Sequence, residues 1–174
     1  ERKYEAKMLS ADSTRFTFGK QVYDNMFWTL LSGVTIWTFY EVVLLYAQAI
    51  GISIFSYPIT LKYSDSPILF LALFPLLPLW LSLHFYFGHR LLHWPPLYKI
   101  SHIVHHRNIN VGPWSGLSMH PIEHVIYLSS LLIHLLIPSH PIHIFFHAYG
   151  LTLSAIFGHV GFDSLMIKGK SIMA

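Results

Sequence analysis

The sequence predicts an all-α fold, a multi-pass membrane helical bundle with about four transmembrane helices. Three observations carry this reading. Only 11% of the residues are charged and 53% are hydrophobic, whereas a soluble domain covers its surface with about 25% charged residues. Mean hydropathy is +0.49, so much of the surface must meet lipid rather than water. The apolar residues also fall into runs long enough to cross a bilayer, separated by proline-rich breaks.

Residues 1–25 hold Arg2, Lys3, Lys7, Arg15 and Lys20 and no apolar run, and are expected to form a polar cytosolic tail. Residues 26–174 are expected to be the membrane-embedded domain. No positively charged start followed by an apolar core marks a signal peptide. A first apolar stretch runs from Met26 to about Ile50, interrupted by Glu41, and a second from Pro67 to Gly88 with His84 as its one ionisable group. A spanning helix needs about 20 such residues. Trp94-Pro95-Pro96 stops the second helix, because proline lacks an amide proton and restricts its predecessor. Leu97 to Arg107 reads as a short helix. Pro121 opens a third apolar helix to Ile137 as a first-turn proline. Pro138-Ser139-His140-Pro141 is a turn, and a fourth helix follows from Ile142 to about Val160.

Basic residues set the expected orientation. They crowd the amino-terminal tail, the segment with Arg90, Lys99 and Arg107, and the end with Lys168 and Lys170; the loop after the first span has Lys62 and the 138–141 turn has none. Four spans with both ends cytosolic satisfy all of these positions. The net charge of +3 forms no basic groove, which sets nucleic-acid binding aside. The absence of cysteine excludes disulfides, thiolate zinc sites, iron–sulfur clusters and cysteine nucleophiles together.

The 13 histidines are the chemical signal. His89 and His93 are four apart at the end of the second helix, about 40° apart on one face. His102, His105 and His106 form an HxxHH pattern within an arc of about 100°. His159 ends the fourth helix on the same side of the membrane. Six histidines from three segments thus converge on one cytosolic face, and neutral imidazole suits iron, zinc and copper. Histidines tolerated at head-group level are the alternative, and a poor account of two such boxes so close together. His84, His120, His124 and Glu123 are expected to support the ligands from behind, a carboxylate orienting an imidazole being a common device. His134, His140, His143 and His147 belong to the opposite half of the membrane, where His134, His147 and Glu41 are expected at similar depth with polar partners.

His89-Arg90-Leu91-Leu92-His93, the run from Tyr98 to His106, Met119-His120-Pro121-Ile122-Glu123 and His159-Val160-Gly161-Phe162-Asp163 resemble the fatty acid hydroxylase/sterol desaturase superfamily. Gly112-Pro113-Trp114-Ser115-Gly116 is similar to its sterol desaturase-like branch. The resemblance implies two iron ions held by histidines, with zinc able to replace them in a purified protein. Carried over by position, His89 and His93 match the first box, His102, His105 and His106 the second, and His159 the histidine before the Gly-aromatic-acid step. The family's last HxxHH box has no counterpart up to Ala174. The chain is therefore expected to be a piece of something longer that carries that box, and an enzyme on that condition.

The implied activity is O2-dependent hydroxylation or desaturation of a sterol or fatty-acyl lipid. Electrons would come from a partner such as cytochrome b5 or a ferredoxin, because the chain has no cluster-binding cysteine and no dinucleotide fingerprint. The implied setting is the endoplasmic reticulum in a eukaryotic secretory pathway, otherwise a bacterial inner membrane or an organelle membrane. The competing expectation is a catalytically incomplete homologue serving as a structural or lipid-binding subunit of a larger membrane complex, which metal content would distinguish. Zinc proteases of the HExxH class are disfavoured by the absence of that motif.

Overall fold

The computed structural model describes residues 2–3, 14, 16–52, 60–108, 110–160, 162–167 and 170–173. Among the described residues, five longer helices and a 3₁₀ turn at Pro113–Leu117 make up the body. Helix α1 covers Gln21–Ala49 and contains a π-helical stretch at Trp28–Val34. Helix α2 is Pro67–Leu92. Helix α3, residues 95–106, passes through a π-helical turn at Tyr98–His102. Helix α4 is Pro121–Leu135, and helix α5 is Pro141–Gly158.

The helix starts follow local chemistry. α2, α3, α4 and α5 all open on proline at the first turn, where its missing N–H goes unused. α4 and α5 begin with the same tripeptide, His-Pro-Ile. In each, the histidine Nδ1 accepts the isoleucine N–H, at 3.3 Å for His120 and 3.2 Å for His140.

α1 and α2 are long and apolar enough to cross a membrane by length and composition. α4 is shorter and changes character along its length, α-helical to Leu128 and 3₁₀ over Ser129–Leu135. A 3₁₀ stretch rises about 2.0 Å per residue against about 1.5 Å in an α-helix. The tighter winding therefore lends the short helix added reach.

α1 starts five residues ahead of Met26, so Gln21, Asp24 and Asn25, placed by sequence in the tail, are buried helix residues. The other departure from an all-helical expectation lies at the chain ends. Arg2–Lys3 (β1), Phe162–Ile167 (β2) and Lys170–Met173 (β3) form a small antiparallel sheet in the order β1-β2-β3. Arg2 pairs with Ser164, and Leu165 with Met173.

The apolar core lies where α1, α4 and α5 meet, around Leu44, Leu131, Ile144, Ala148 and Leu151. Lipid tails are as apolar as leucine, so close packing and internal hydrogen bonds hold such a bundle together. One hydrogen-bonded file runs through it. Gln48 Nε2 donates to Ser139 Oγ (3.1 Å), Ser139 pairs with His134 Nδ1 (3.0 Å), His134 Nε2 with His147 Nδ1 (3.2 Å), and His147 Nε2 with Ser130 Oγ (2.9 Å). All five side chains are buried. His143 Nε2 meets the Phe70 carbonyl at 3.0 Å. Three of the four histidines assigned to the other half thus bond polar groups inside the bundle, and His140 caps α5. Glu41 is half-buried on α1 and is not part of the file.

Candidate metal centre

The first box sits on the last turn of α2. His89 and His93 project from one face, and their Nε2 atoms are 3.1 Å apart. The second box rides on α3, held directly against it after the Trp94-Pro95-Pro96 bend. There His102 and His106 form another i, i+4 pair with Nε2 atoms 3.1 Å apart. The rings of His89 and His93 lie 4.7 and 4.8 Å from that of His102. All four ligand nitrogens fall within 4.8 Å of one another.

These distances fit a metal ion. Ligands about 2.1 Å from a metal are separated by about 3.0 Å at a right angle and about 3.4 Å at the tetrahedral angle, with about 4.2 Å across an octahedron. Both 3.1 Å pairs lie in the first range, and the 4.8 Å bound on the whole set exceeds the octahedral span by about 0.6 Å, so a small inward movement of the side chains would bring all four onto a single ion.

His105 stands apart from the four. Its ring is parallel to that of His102 at 5.6 Å and edge-on to that of His106 at 5.8 Å, but nearer than either is His159, 5.2 Å away edge-on. His159 Nδ1 donates to the Ala155 carbonyl at 2.9 Å, which leaves its Nε2 as the free lone pair. The single arc expected for HxxHH is therefore divided: His102 and His106 face the first box, and His105 faces the end of α5. A π-helical turn at Tyr98–His102 leads into this box, and such turns recur at functional sites.

Glu123, on the first turn of α4, supplies the rear support. Its Oε1 accepts from His102 Nδ1 at 2.8 Å, with both side chains buried. That bond holds the His102 proton on Nδ1 and turns Nε2 toward the other three histidines, the carboxylate–histidine arrangement found behind metals. Glu123 Oε2 is buried without a partner among the described residues, an arrangement that a nearby positive ion would compensate.

The imidazoles of α3 are held neutral. Burial pushes His102 down to about 4. His105 falls to about 3, through burial first and then through His159, His102 and His106. His106 is lowered by burial and by His102 and His93. Burial disfavours the charged form, and neutral imidazole is the form that binds metal.

The remaining sequence-selected residues have distinct places. His84 bonds Ser129 Oγ at 3.0 Å. His120 caps α4. His124 is buried and meets Ser32 Oγ of α1 at 2.8 Å. Asp163 lies among residues whose side chains are not described.

A cavity of about 370 Å³ opens beside the histidines, lined by His89, His105, His106 and His159 at one end. Leu81, Phe85, Met119, Ile126, Tyr127 and Ala155 make most of its wall apolar. Sequence reasoning missed Gly116, which lies so close to Ala155 that any side chain there would strike its carbonyl. It also missed Gln21 and Asp24. Their signal was present as polar residues at helical spacing (21, 24, 25, 29, 32) within an apolar helix.

The fatty acid hydroxylase family model matches residues 74–173, the stretch that carries all six candidate ligands. Three curated relatives are Delta(7)-sterol 5(6)-desaturases. That of Eremothecium gossypii is 41% identical over 58 residues, 33% of this chain and 16% of the relative. That of Candida albicans is 34% identical over 86 residues, 49% of this chain and 20% of the relative. That of Candida glabrata is 33% identical over 89 residues, 51% and 22% of the two chains. The matched segments thus span at most 22% of these relatives' length. No solved structure matches the chain. With its paired histidine boxes inside the matched stretch, the chain belongs to the fatty acid hydroxylase/sterol desaturase family, on the sterol desaturase-like branch.

Proposed function

We propose that this chain forms the metal-holding part of a multi-pass membrane oxidoreductase that hydroxylates or desaturates a lipid, a sterol or a fatty-acyl chain, with O2 as oxidant. The observation that carries the reading is the set of four histidine nitrogens within 4.8 Å of one another, braced by Glu123 at 2.8 Å. The curated relatives are sterol desaturases, which supports a lipid substrate.

His89, His93, His102 and His106 would hold one iron ion, and His105 with His159 would contribute to a second. Bound iron would supply the two-electron oxidation of an unactivated C–H bond by O2, with electrons from a donor protein such as cytochrome b5 or a ferredoxin. The same nitrogen donors suit zinc, so zinc can occupy the site in a purified protein. The protein's own part is positional. Glu123 keeps the proton of His102 on Nδ1, burial keeps the α3 imidazoles unprotonated, and the apolar wall formed by Phe85, Ile126 and Tyr127 aligns a hydrocarbon and excludes water. In the proposed topology of four spans, with the histidine face on the cytosolic side, a soluble or tail-anchored donor would reach the site.

The test is metal content followed by product. The full-length protein, purified from a lipid-defined host, should carry iron or zinc and lose it on His89→Ala or His102→Ala. Mass spectrometry of the host lipids should show a new hydroxyl or double bond that disappears with the same substitutions. A metal-free wild-type protein that assembles stably with other membrane proteins would instead support an accessory subunit.

A further inference from the structure

The amino-terminal half of α1 is inverted relative to a soluble helix. Its exposed face is apolar, with Tyr23 56% and Leu31 58% exposed, while Gln21, Asp24, Thr29 and Ser32 are at most 6% exposed. These buried polar residues recur at spacings of three to five, along one stripe of the helix. All of them precede the residues matched by the family model, which begin at position 74.

Their partners form a second series, in step with the first. Asp24 Oδ2 lies 3.6 Å from Arg107 Nη2, and its Oδ1 accepts the Thr17 N–H at 2.9 Å. Gln21 Nε2 donates to Asn108 Oδ1 at 3.2 Å and to the Asn110 carbonyl at 2.7 Å, while Gln21 Oε1 accepts the Asn110 N–H at 3.2 Å. Further along, Thr29 Oγ1 donates to the Trp114 carbonyl at 3.4 Å, and Ser32 meets His124 at 2.8 Å. The stripe therefore grips residues 107–124 at intervals along their length. That segment leaves the metal centre at one end and returns to it at the other: Arg107 follows His106, and His124 follows Glu123, the residue bonded to His102. Asn108 also donates from Nδ2 to the His105 carbonyl at 2.8 Å, which links Gln21 to a ligand-bearing turn through one side chain.

We propose that this stripe is a strut for the metal centre, with Gln21 and Asp24 as positioning residues that fix the second histidine box relative to Glu123. The inference rests on the proposed metal-binding function.

Gln21→Glu provides an isosteric test. It replaces the donating nitrogen with an oxygen facing two acceptors. The Asn110 carbonyl cannot adapt, and Asn108 can do so only by turning its amide and giving up the His105 carbonyl. Asp24→Asn removes the charge opposite Arg107 and keeps the shape. The measurements are Co2+ affinity and ligand-field spectrum of the full-length protein in detergent, together with helix content and melting temperature. Val22→Ala on the exposed face is the control.

Both stripe variants should bind Co2+ about tenfold more weakly, at the lower end of the range for residues behind metal ligands. They should also show shifted ligand-field bands and unchanged helix content, and the control should match wild type. If Gln21→Glu does not accumulate as folded protein, Asp24→Asn carries the same test. Variants that melt earlier while their folded fraction binds Co2+ within twofold of wild type would overturn the strut and leave the metal-centre reading intact. A wild-type protein that binds no Co2+ would overturn both.

Discussion

Gly116→Ala should dislodge one side of the metal centre while leaving the other in place. Gly116 is buried in the turn Pro113–Leu117, against the last turn of α5. A Cβ there would stand 2.8 Å from the Ala155 carbonyl carbon, closer still to its oxygen, and 3.2 Å from His159 Nδ1. Carbon atoms pack comfortably at about 3.5–4.0 Å, so the turn and the helix end must separate by about 1 Å. The obstacle is backbone, which cannot rotate away as a side-chain tip would. That carbonyl also accepts from His159 Nδ1, so a displaced helix end takes His159 with it, away from His105. Metal ligands tolerate misplacement of only about 0.2 Å, and overpacking a well-filled site costs about 1–3 kcal/mol. Metal analysis of the purified full-length protein should therefore show loss of the equivalent held by His105 and His159. The equivalent at His89, His93, His102 and His106 should persist, and the melting temperature should fall. Wild-type metal content with an unchanged melting temperature would refute the argument, because it would show that the end of α5 has room to yield.

Three further outcomes are expected. Glu123→Gln should weaken metal binding by about 10- to 100-fold in chelator competition, because a neutral amide oxygen accepts the His102 Nδ1–H more weakly than a carboxylate and no longer raises the ligand's basicity; undiminished affinity would remove Glu123 from its supporting role. For the metal-free protein, the buried His102 and His105 titrate at about 4 and about 3, below the unfolded value of about 6.5. Their contribution to stability is therefore complete above about pH 6.5 and is lost as pH falls toward 4, so melting temperatures in detergent should fall over that window and hold steady above it. His134→Leu and His147→Leu should each cost about 1–3 kcal/mol by leaving buried partners unsatisfied, and the double variant should cost less than the sum; additive melting shifts would deny that the two rings share a bond.

Which parts of the centre could be read from sequence depended on how far apart the cooperating residues lie in the chain. The pairing of His89 with His93, and of His102 with His106, is a consequence of i, i+4 spacing on any helix and needed no fold. The proline-led starts of α2 and α4, and the stop at Trp94-Pro95-Pro96, were equally local. His105 and His159 are 54 positions apart, and what brings them together is the close approach of Gly116 to Ala155, for which a lone glycine in Pro-Trp-Ser-Gly gives no unambiguous sign. The 3₁₀ turn of α4 and the small terminal sheet escaped for a related reason, since neither carries a strong period of its own.

The division of the second box shows where a helical-wheel argument stops. At about 100° per residue, His102, His105 and His106 share one arc, and the natural expectation is a single cluster of ligands. The box itself is α-helical over Ile103–His106, so the wheel holds there; what it does not show is that the two edges of so wide an arc, His105 and His106, face different neighbours. The consequence is chemical. Four nitrogens compressed within 4.8 Å make a place for one ion, and adding His105 to the same point would crowd five imidazoles around it. Turned toward His159, His105 lines the apolar cavity together with His89 and His106, where the second ion of the proposed function would sit. Under the proposed function, the two ions would then flank one hydrocarbon-lined space. His105→Ala separates this arrangement from a one-metal site with a spare histidine. Loss of one of two metal equivalents with His102 and His106 still loaded supports the paired site, and a wild-type stoichiometry of one, unchanged by the substitution, rules it out.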